Sequence, residues 1–265
     1  MTATCFNITD LSFAYGGKPV LDKVSMGIDR GMIHGILGPN GSGKTTLLDL
    51  IAGHKKPVTG AVRFNGKPVH GIAKYRLARH IALVSQNFYI NFPYTVMDVV
   101  MMGRYPYMGR FSPPSKTDLQ IVEETMRITG VAKYRNHPVT RLSGGERQRT
   151  VFARALAQDT DVLLLDEATS NLDINHTLTL LDVVRGRVQK DGMTVIAVFQ
   201  DINLAAIYCD RMILMKDGQI VAAGPTHDIM DATLLASVFD VESTIRFEPV
   251  YGARQAVFKT GLDGA

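Results

Sequence analysis

Residues 8–15 set Ile8, Leu11, Phe13 and Tyr15 among polar or small neighbours, the near-alternation of a half-buried strand, and residues 24–28 pair with it. MIHGIL (32–37) is a short apolar strand that runs through GPNGSGKT into TTLLDLIAG, a helical stretch closed by Gly53. VLLLD (162–166) and MTVIAVF (193–199) have the length and flanks of fully buried parallel strands, and a helical pattern follows each. At the end of the second, in AVFQDINLAA, Gln200 stands at the strand–helix junction and Asp201 is placed to cap the next helix. Strand and helix alternate in the first and last thirds, which predicts an α/β fold with a parallel sheet. The middle reads differently. From about Asn87 to Gln158 helical periodicity stands alone, with Leu119, Val122 and Met126 behind a Thr117-x-x-Gln120 capping box. Residues 103–115, with Pro106, Pro113 and Pro114, read as a loop between two helical pieces. This region is expected to be a helical subdomain inserted into the α/β core. Residues 226–265 carry two short helical patterns and then alternation near 245–248 and 255–258, a small hairpin.

Composition narrows the picture only slightly. Hydrophobic residues make up 46% and charged residues 20%, ordinary values for a packed domain. The net charge of +4 comes without a Lys/Arg block, so a nucleic-acid partner is not expected. Cys5 and Cys209 are far apart and lack a CxxC partner, which speaks against a disulfide framework or a zinc site and for a reducing cytosol. No signal peptide is expected at the N-terminus, and no apolar run approaches the roughly 20 residues of a membrane span. Work at a membrane would need other chains.

The chemistry lies in the motifs. Gly38, Pro39, Asn40, Gly41, Ser42, Gly43, Lys44 and Thr45 fit G-x-x-x-x-G-K-[ST] between a strand and a helix, with Thr46 next in that helix. Such a loop turns successive N–H groups inward to cradle phosphates; Lys44 would reach the β and γ phosphates and Thr45 would ligate Mg²⁺. The loop alone does not separate a kinase from a GTPase or a motor. Asp166 closes a buried strand, where a carboxylate holds magnesium, and Glu167 can polarise an attacking water. LSGGERQR (142–149) starts a helix with Ser143, Gly144 and Gly145, a second anion-binding terminus; the plainer alternative is an ordinary N-cap with Arg147 and Arg149 in solvent.

In the order GPNGSGKT, Gln86, LSGGE, VLLLDE and SNLD the chain resembles the nucleotide-binding subunit of an ATP-binding cassette (ABC) transporter over nearly its whole length. The resemblance implies a P-loop NTPase (RecA-like) core at 1–86 and 160–240 with an N-terminal antiparallel β subdomain. It further implies the helical subdomain at 87–159 and a small extension at 241–265, all in one nucleotide-binding domain. It implies ATP and Mg²⁺ as ligands, with Thr45, Gln86 and Asp166 at the metal and Tyr15 stacked on adenine. Glu167, Gln200, Lys44 and Gln86 would carry hydrolysis. Ser143, Gly144, Gly145 and Glu146 would close on the ATP of a second, two-fold-related copy, with residues 170–173, Asp173 included, crossing the interface. YTVMDVVMMGRYPYMG (94–109) and DINLAAIYCDR (201–211) are similar to the ATPases of iron-chelate, haem and cobalamin importers, and molybdate importers share much of the pattern. Such a subunit serves an integral-membrane permease dimer, docked near residues 86–107, at the cytoplasmic face, and indirectly an extracytoplasmic binding protein.

Two departures stand out. DEPTSALD of the family reads DEATSNLD, which keeps both carboxylates. Gln200 stands where the family usually has a His that bonds the γ-phosphate. An amide still donates but does not titrate near neutral pH. Turnover is therefore expected to persist at a reduced rate, with an ATP-gated clamp of very slow turnover as the rival. A soluble ABC protein acting on DNA or ribosomes is a third reading, weakened by the absence of a second cassette or long coiled coil.

Overall fold

The computed structural model describes residues 4–86, 92–109, 112–170 and 172–259. It opens with strands β1 (Thr4–Tyr15), β2 (Lys18–Asp29) and β3 (Ile33–Leu37), helix α1 (Lys44–Ile51) and strands β4 (Thr59–Phe64) and β5 (Lys67–Pro68). Next come α2 (Lys74–Leu77), β6 (Ile81–Val84), α3 (Val96–Met101), α4 (Lys116–Ile128), α5 (Gly144–Ala157), β7 (Val162–Asp166), α6 (Ile174–Asp191) and β8 (Thr194–Val198). The chain continues through α7 (Ile202–Tyr208), β9 (Arg211–Lys216), β10 (Gln219–Pro225), α8 (Thr226–Ile229), α9 (Ala232–Phe239), β11 (Ser243–Glu248) and β12 (Ala253–Phe258). Two units emerge, residues 1–70 with 196–265, and residues 71–195.

In the first unit β2, β1, β4 and β5 form an antiparallel sheet. Ile8 and Leu11 are both buried although their odd spacing should turn them to opposite faces. A bulge resolves this: the register slips between Ile8 and Leu11, and Asp10 takes a left-handed φ of 44°. Phe6 and Phe64 stack across β1 and β4 at 5.0 Å between centroids. β3 runs parallel to β9, Leu37 beside Leu214, and β9 turns back antiparallel into β10. All five residues of β3 are buried, as its apolar run requires. β11 and β12 form the expected hairpin. Cys5 and Cys209 are buried and form no disulfide.

In the second unit β6 and β7 pair in parallel, Val84 beside Leu165, and α3, α4 and α5 enclose a core that includes Val96, Val100, Val122, Met126 and Ala153. Between residues 87 and 158 no strand occurs among the described residues, in keeping with the helical periodicity. Two local expectations are corrected. α4 is capped by Ser115 with Asp118, not by Thr117 with Gln120. Ser115 has the extended backbone a cap needs, behind two prolines, and the short Asp118 side chain reaches back to its N–H. The loop expected at 103–115 is in part a 3₁₀ helix, Met102–Tyr107, because Arg104 turns inward. Its Nε donates to Asp118 Oδ1 at 2.8 Å, its Nη1 to the Ala157 carbonyl at 2.9 Å, and the Tyr107 ring lies 4.2 Å from its guanidinium carbon. Arg110 and Phe111 of that stretch, and Asn87 to Asn91 of the expected docking region, lie outside the described residues.

Candidate functional site

The loop after β3 is shaped by glycines. A Cβ on Gly38 would stand 2.0 Å from the Met215 carbonyl oxygen. On Gly43, at φ +97°, it would stand 2.6 Å from Leu21 Cδ2. Gly43 is also the N-cap of α1 and makes no side-chain cap hydrogen bond to it. Ser42 Oγ is buried without a hydrogen-bond partner. Lys44 is buried and its ammonium donates to the carbonyls of Gly38 at 2.8 Å and Pro39 at 2.9 Å. Asn40, Gly41 and Thr45 are exposed and Thr46 is buried. A helix N-terminus with no side-chain cap, an orphaned hydroxyl and an ammonium facing inward suit a polyanion.

Tyr15, at the end of β1, is half exposed; its ring meets Phe13 edge-on, and Lys55 Nζ lies 5.4 Å from its centroid. Lys55 in turn pairs with Asp49 at 3.0 Å. A ring so placed can stack on a planar base, with a cation beside it.

In the second unit Asp166 ends β7 and is buried, while Glu167 breaks the strand with φ +48°. A non-glycine residue held in that conformation is a local strain of about 1–3 kcal/mol. The Glu167 carbonyl accepts from Ser170 N–H and Oγ, at 3.1 and 2.9 Å. Gln86 Nε2 donates to Glu167 Oε2 at 2.6 Å, so the amide from the end of β6 and the carboxylate from the end of β7 are brought together. Gln148, on α5, donates to the Ala168 carbonyl at 2.9 Å. Sequence reasoning gave this residue no role. Its signal was a polar side chain on the buried face of a helix, in step with Val151, Phe152 and Ala155.

Ser143 caps α5 in a full capping box. Its N–H donates to Glu146 Oε2 at 2.9 Å and its Oγ accepts from Glu146 N–H at 3.3 Å. The Glu146 carboxyl is held down to about 2, first by a hydrogen bond from Tyr134 and then by Ser143. Ser143 and Gly144 are exposed. Arg149 is not in solvent, at 7% exposed, and Arg147 is partly buried; the Nε of each is buried without a hydrogen-bond partner. Asp173 caps α6, accepting from His176 N–H at 2.8 Å and His176 Nδ1 at 2.7 Å. Asn171, one of the two changed positions in DEATSNLD, lies outside the described residues.

Gln200 follows β8 and is exposed; Asp201 caps α7 as expected, accepting from the N–H groups of Asn203 and Leu204. Gln200 and Asp201 line a cavity of about 360 Å³ with Ile202, Phe239, Val241 and Phe258. The phosphate loop, the Asp166–Glu167 pair and Gln200 thus each leave the carboxyl end of a buried strand, where open α/β sheets bind ligands. Among the described residues no helix is long and apolar enough to cross a membrane, and no three His, Cys, Asp or Glu cluster as metal ligands.

A family model described as ABC transporter matches residues 21–170. The cobalamin import ATP-binding protein of Halobacterium salinarum is 40% identical over 247 residues, 93% of this chain; the chain spans 62% of that protein's own length. The hemin import ATP-binding protein of Rhodopseudomonas palustris is 39% identical, with 89% of this chain and 88% of the other covered. A petrobactin import ATP-binding protein of Bacillus anthracis is 34% identical, with 91% and 89% covered. Among solved structures, a transporter assigned to the metal-chelate type of ABC transporter, in an inward-facing conformation, matches with a TM-score of 0.83 at 26% identity, covering 98% of this chain and 99% of the other. A dimeric ATP-binding cassette in a post-hydrolysis state, bound to ADP and Pi, matches with a TM-score of 0.74 at 27% identity, covering 83% of this chain and 98% of the other.

Proposed function

Because the chain belongs to the ABC transporter family, we propose that it is the ATP-hydrolysing subunit of an importer for a metal chelate: an iron–siderophore complex, haem or cobalamin. The observation that carries the reading is the loop at the start of α1, with Gly38 and Gly43 where a Cβ would collide, a helix start without a side-chain cap and the inward Lys44. The cargo class is supported by the names of the cobalamin, hemin and petrobactin relatives.

In this reading the α1 N-terminus and Lys44 bind the β and γ phosphates, and Tyr15 stacks on adenine. Thr45, Gln86 and Asp166 would hold Mg²⁺, which would supply neutralisation of phosphate charge. That donor set suits magnesium, which takes one or two carboxylates plus phosphate oxygens rather than a dedicated cage. Glu167 takes a proton from the attacking water as the new P–O bond forms and the bond to ADP breaks. Gln86 fixes the Glu167 side chain by its 2.6 Å hydrogen bond. Gln200 donates to the γ-phosphate.

Two copies pair about a two-fold axis, each offering Ser143, Gly144, Gly145 and Glu146 to the other's ATP, with Asp173 in the crossing loop. Gly144 is compatible with this, since the space around it is open: a Cβ there would meet nothing within 4 Å. The pair works at the cytoplasmic face of the membrane through a permease docked near residues 86–107.

The test is steady-state phosphate release from Mg-ATP by the purified chain with and without its permease. Parent protein should turn over, and Glu167→Gln should bind ATP with release reduced by at least about 10²-fold. Turnover unaffected by Glu167→Gln would sink the assigned chemistry. A parent that binds ATP and pairs but releases no phosphate would instead mark an ATP-gated clamp.

A further inference from the structure

Gln200 is followed within three residues by a side chain with an unusual attachment. Asn203 Nδ2 donates to the Ala256 carbonyl at 3.0 Å, and the Ala256 N–H donates back to Asn203 Oδ1 at 2.7 Å. One amide thus satisfies both backbone groups of a residue on β12, taking the place a third strand would fill beside the hairpin. Gln255 Nε2 adds a bond to the Asn203 carbonyl at 3.3 Å. On the other side, the Asn203 N–H is held by Asp201 Oδ1 at 2.8 Å, in the cap that starts α7 directly after Gln200. A two-stranded hairpin is marginal by itself; this one is fastened to α7, and again by Arg254, whose Nη1 donates to the His227 carbonyl at 2.7 Å.

The cavity of about 360 Å³ lies along Gln200, Asp201 and Ile202, between them and Phe239, Val241 and Phe258. The start of α7 therefore faces open space rather than continuous packing on that side. Ile202, Ala205 and Ala206 hold α7 by burial, and the Asp201 cap and Asn203 fix its first turn by hydrogen bonds.

We propose that Asn203 is a positioning residue for Gln200, with the β11–β12 hairpin as its anchor, so that an element far from the nucleotide motifs in sequence sets the rate of ATP hydrolysis. The proposal rests on the reading that Gln200 acts at the γ-phosphate. Asparagine suits the task because it offers a donor and an acceptor on one short plane; Asp at neutral pH keeps only the acceptor and sets a negative oxygen against the Ala256 carbonyl.

The experiment is steady-state phosphate release by the 265-residue chain carrying Asn203→Ala or the milder Asn203→Asp, each alone and combined with Gln200→Ala, with urea midpoints recorded alongside. Expected is a fall in kcat of about ten-fold with KM for ATP within about two-fold, since small misplacement of a reacting group costs rate more than binding. In the Gln200→Ala background the same substitutions should change kcat by less than about two-fold, because interacting residues are not additive. If Asn203→Ala and Asn203→Asp slow both backgrounds by the same factor, or leave kcat unchanged in the parent, the positioning role is overturned while that of Gln200 stands. If Gln200→Ala itself turns over like the parent, the role of Gln200 falls and the proposal with it. A variant that unfolds is replaced by the other, and the two backgrounds are compared for that one.

Discussion

The buried pair Arg104–Asp118 gives the sharpest stability prediction. Both side chains lie inside the second unit, 7% and 10% exposed, and the carboxylate also accepts from Ser115 N–H and Oγ. Asp118→Ala leaves a guanidinium buried without its counter-charge, a loss of about 3–5 kcal/mol. It also opens the capping box, about 1 kcal/mol. The two losses share one carboxylate and do not add fully, so about 4 kcal/mol is expected. Against a typical total of roughly 5–15 kcal/mol this is a large fraction. With an m-value of about 3 kcal/mol/M the urea midpoint falls by somewhat over 1 M. Equilibrium unfolding followed by far-UV circular dichroism measures it. Asp118→Asn keeps a partner for Ser115 and should lose about half as much. The pH dependence has a definite sign. The Ser115 hydroxyl first, and then Arg104, hold the Asp118 carboxyl below its ordinary 3.8. Its contribution is therefore full above that value and lost as pH falls through the lower folded one, so parent and Asp118→Asn should converge in acid. An Asp118→Ala midpoint within about 0.3 M of the parent would refute the reasoning.

Three further outcomes follow from the site. Gly43→Ala forces a Cβ to within 2.6 Å of Leu21 Cδ2 at φ +97°, which should cost about 2–5 kcal/mol and weaken ATP binding in calorimetry. Wild-type stability would disprove the clash. Glu146→Ala should destabilise by roughly 0.5–1 kcal/mol at pH 7, the side chain being partly exposed. That difference is full above 4.5 and should fade as pH falls to about 2, a trend readable from urea midpoints against pH. Gln200→His should match or exceed the parental rate and bring a steeper pH profile between about 6 and 7. Loss of activity with ATP affinity and fold intact would count against a donor role for Gln200.

The strands that present the site were legible because their physics is local. A buried parallel strand is a short unbroken apolar run, and β3, β7 and β8 each read that way within a residue of their observed ends. The phosphate loop was equally legible, since its glycines answer to backbone geometry. What escaped depends on partners distant in sequence or on slips of register. Ile8 and Leu11 share a face only through the bulge at Asp10, and a period of two cannot announce an inserted residue. Thr117 was expected as the α4 cap because it precedes a Gln at the right spacing. Ser115 prevails because Asp118 is already fixed by Arg104. Gln148 and Asn203 carry no sequence motif, and their roles follow from the carbonyls that lie opposite them.

Lys44 is a ligand of its own loop. With its ammonium on the Gly38 and Pro39 carbonyls, the loop is held by an internal guest, and an arriving phosphate competes with those carbonyls for its N–H groups. Association is thus an exchange reaction, carbonyl acceptors for phosphate acceptors, and the measured affinity reports the difference between two strong sets of bonds. Removing the ammonium takes something from both sides of that exchange. A Lys44→Ala protein should therefore lose less ATP affinity than the charge on the phosphates alone suggests, and its empty loop should become the more mobile of the two.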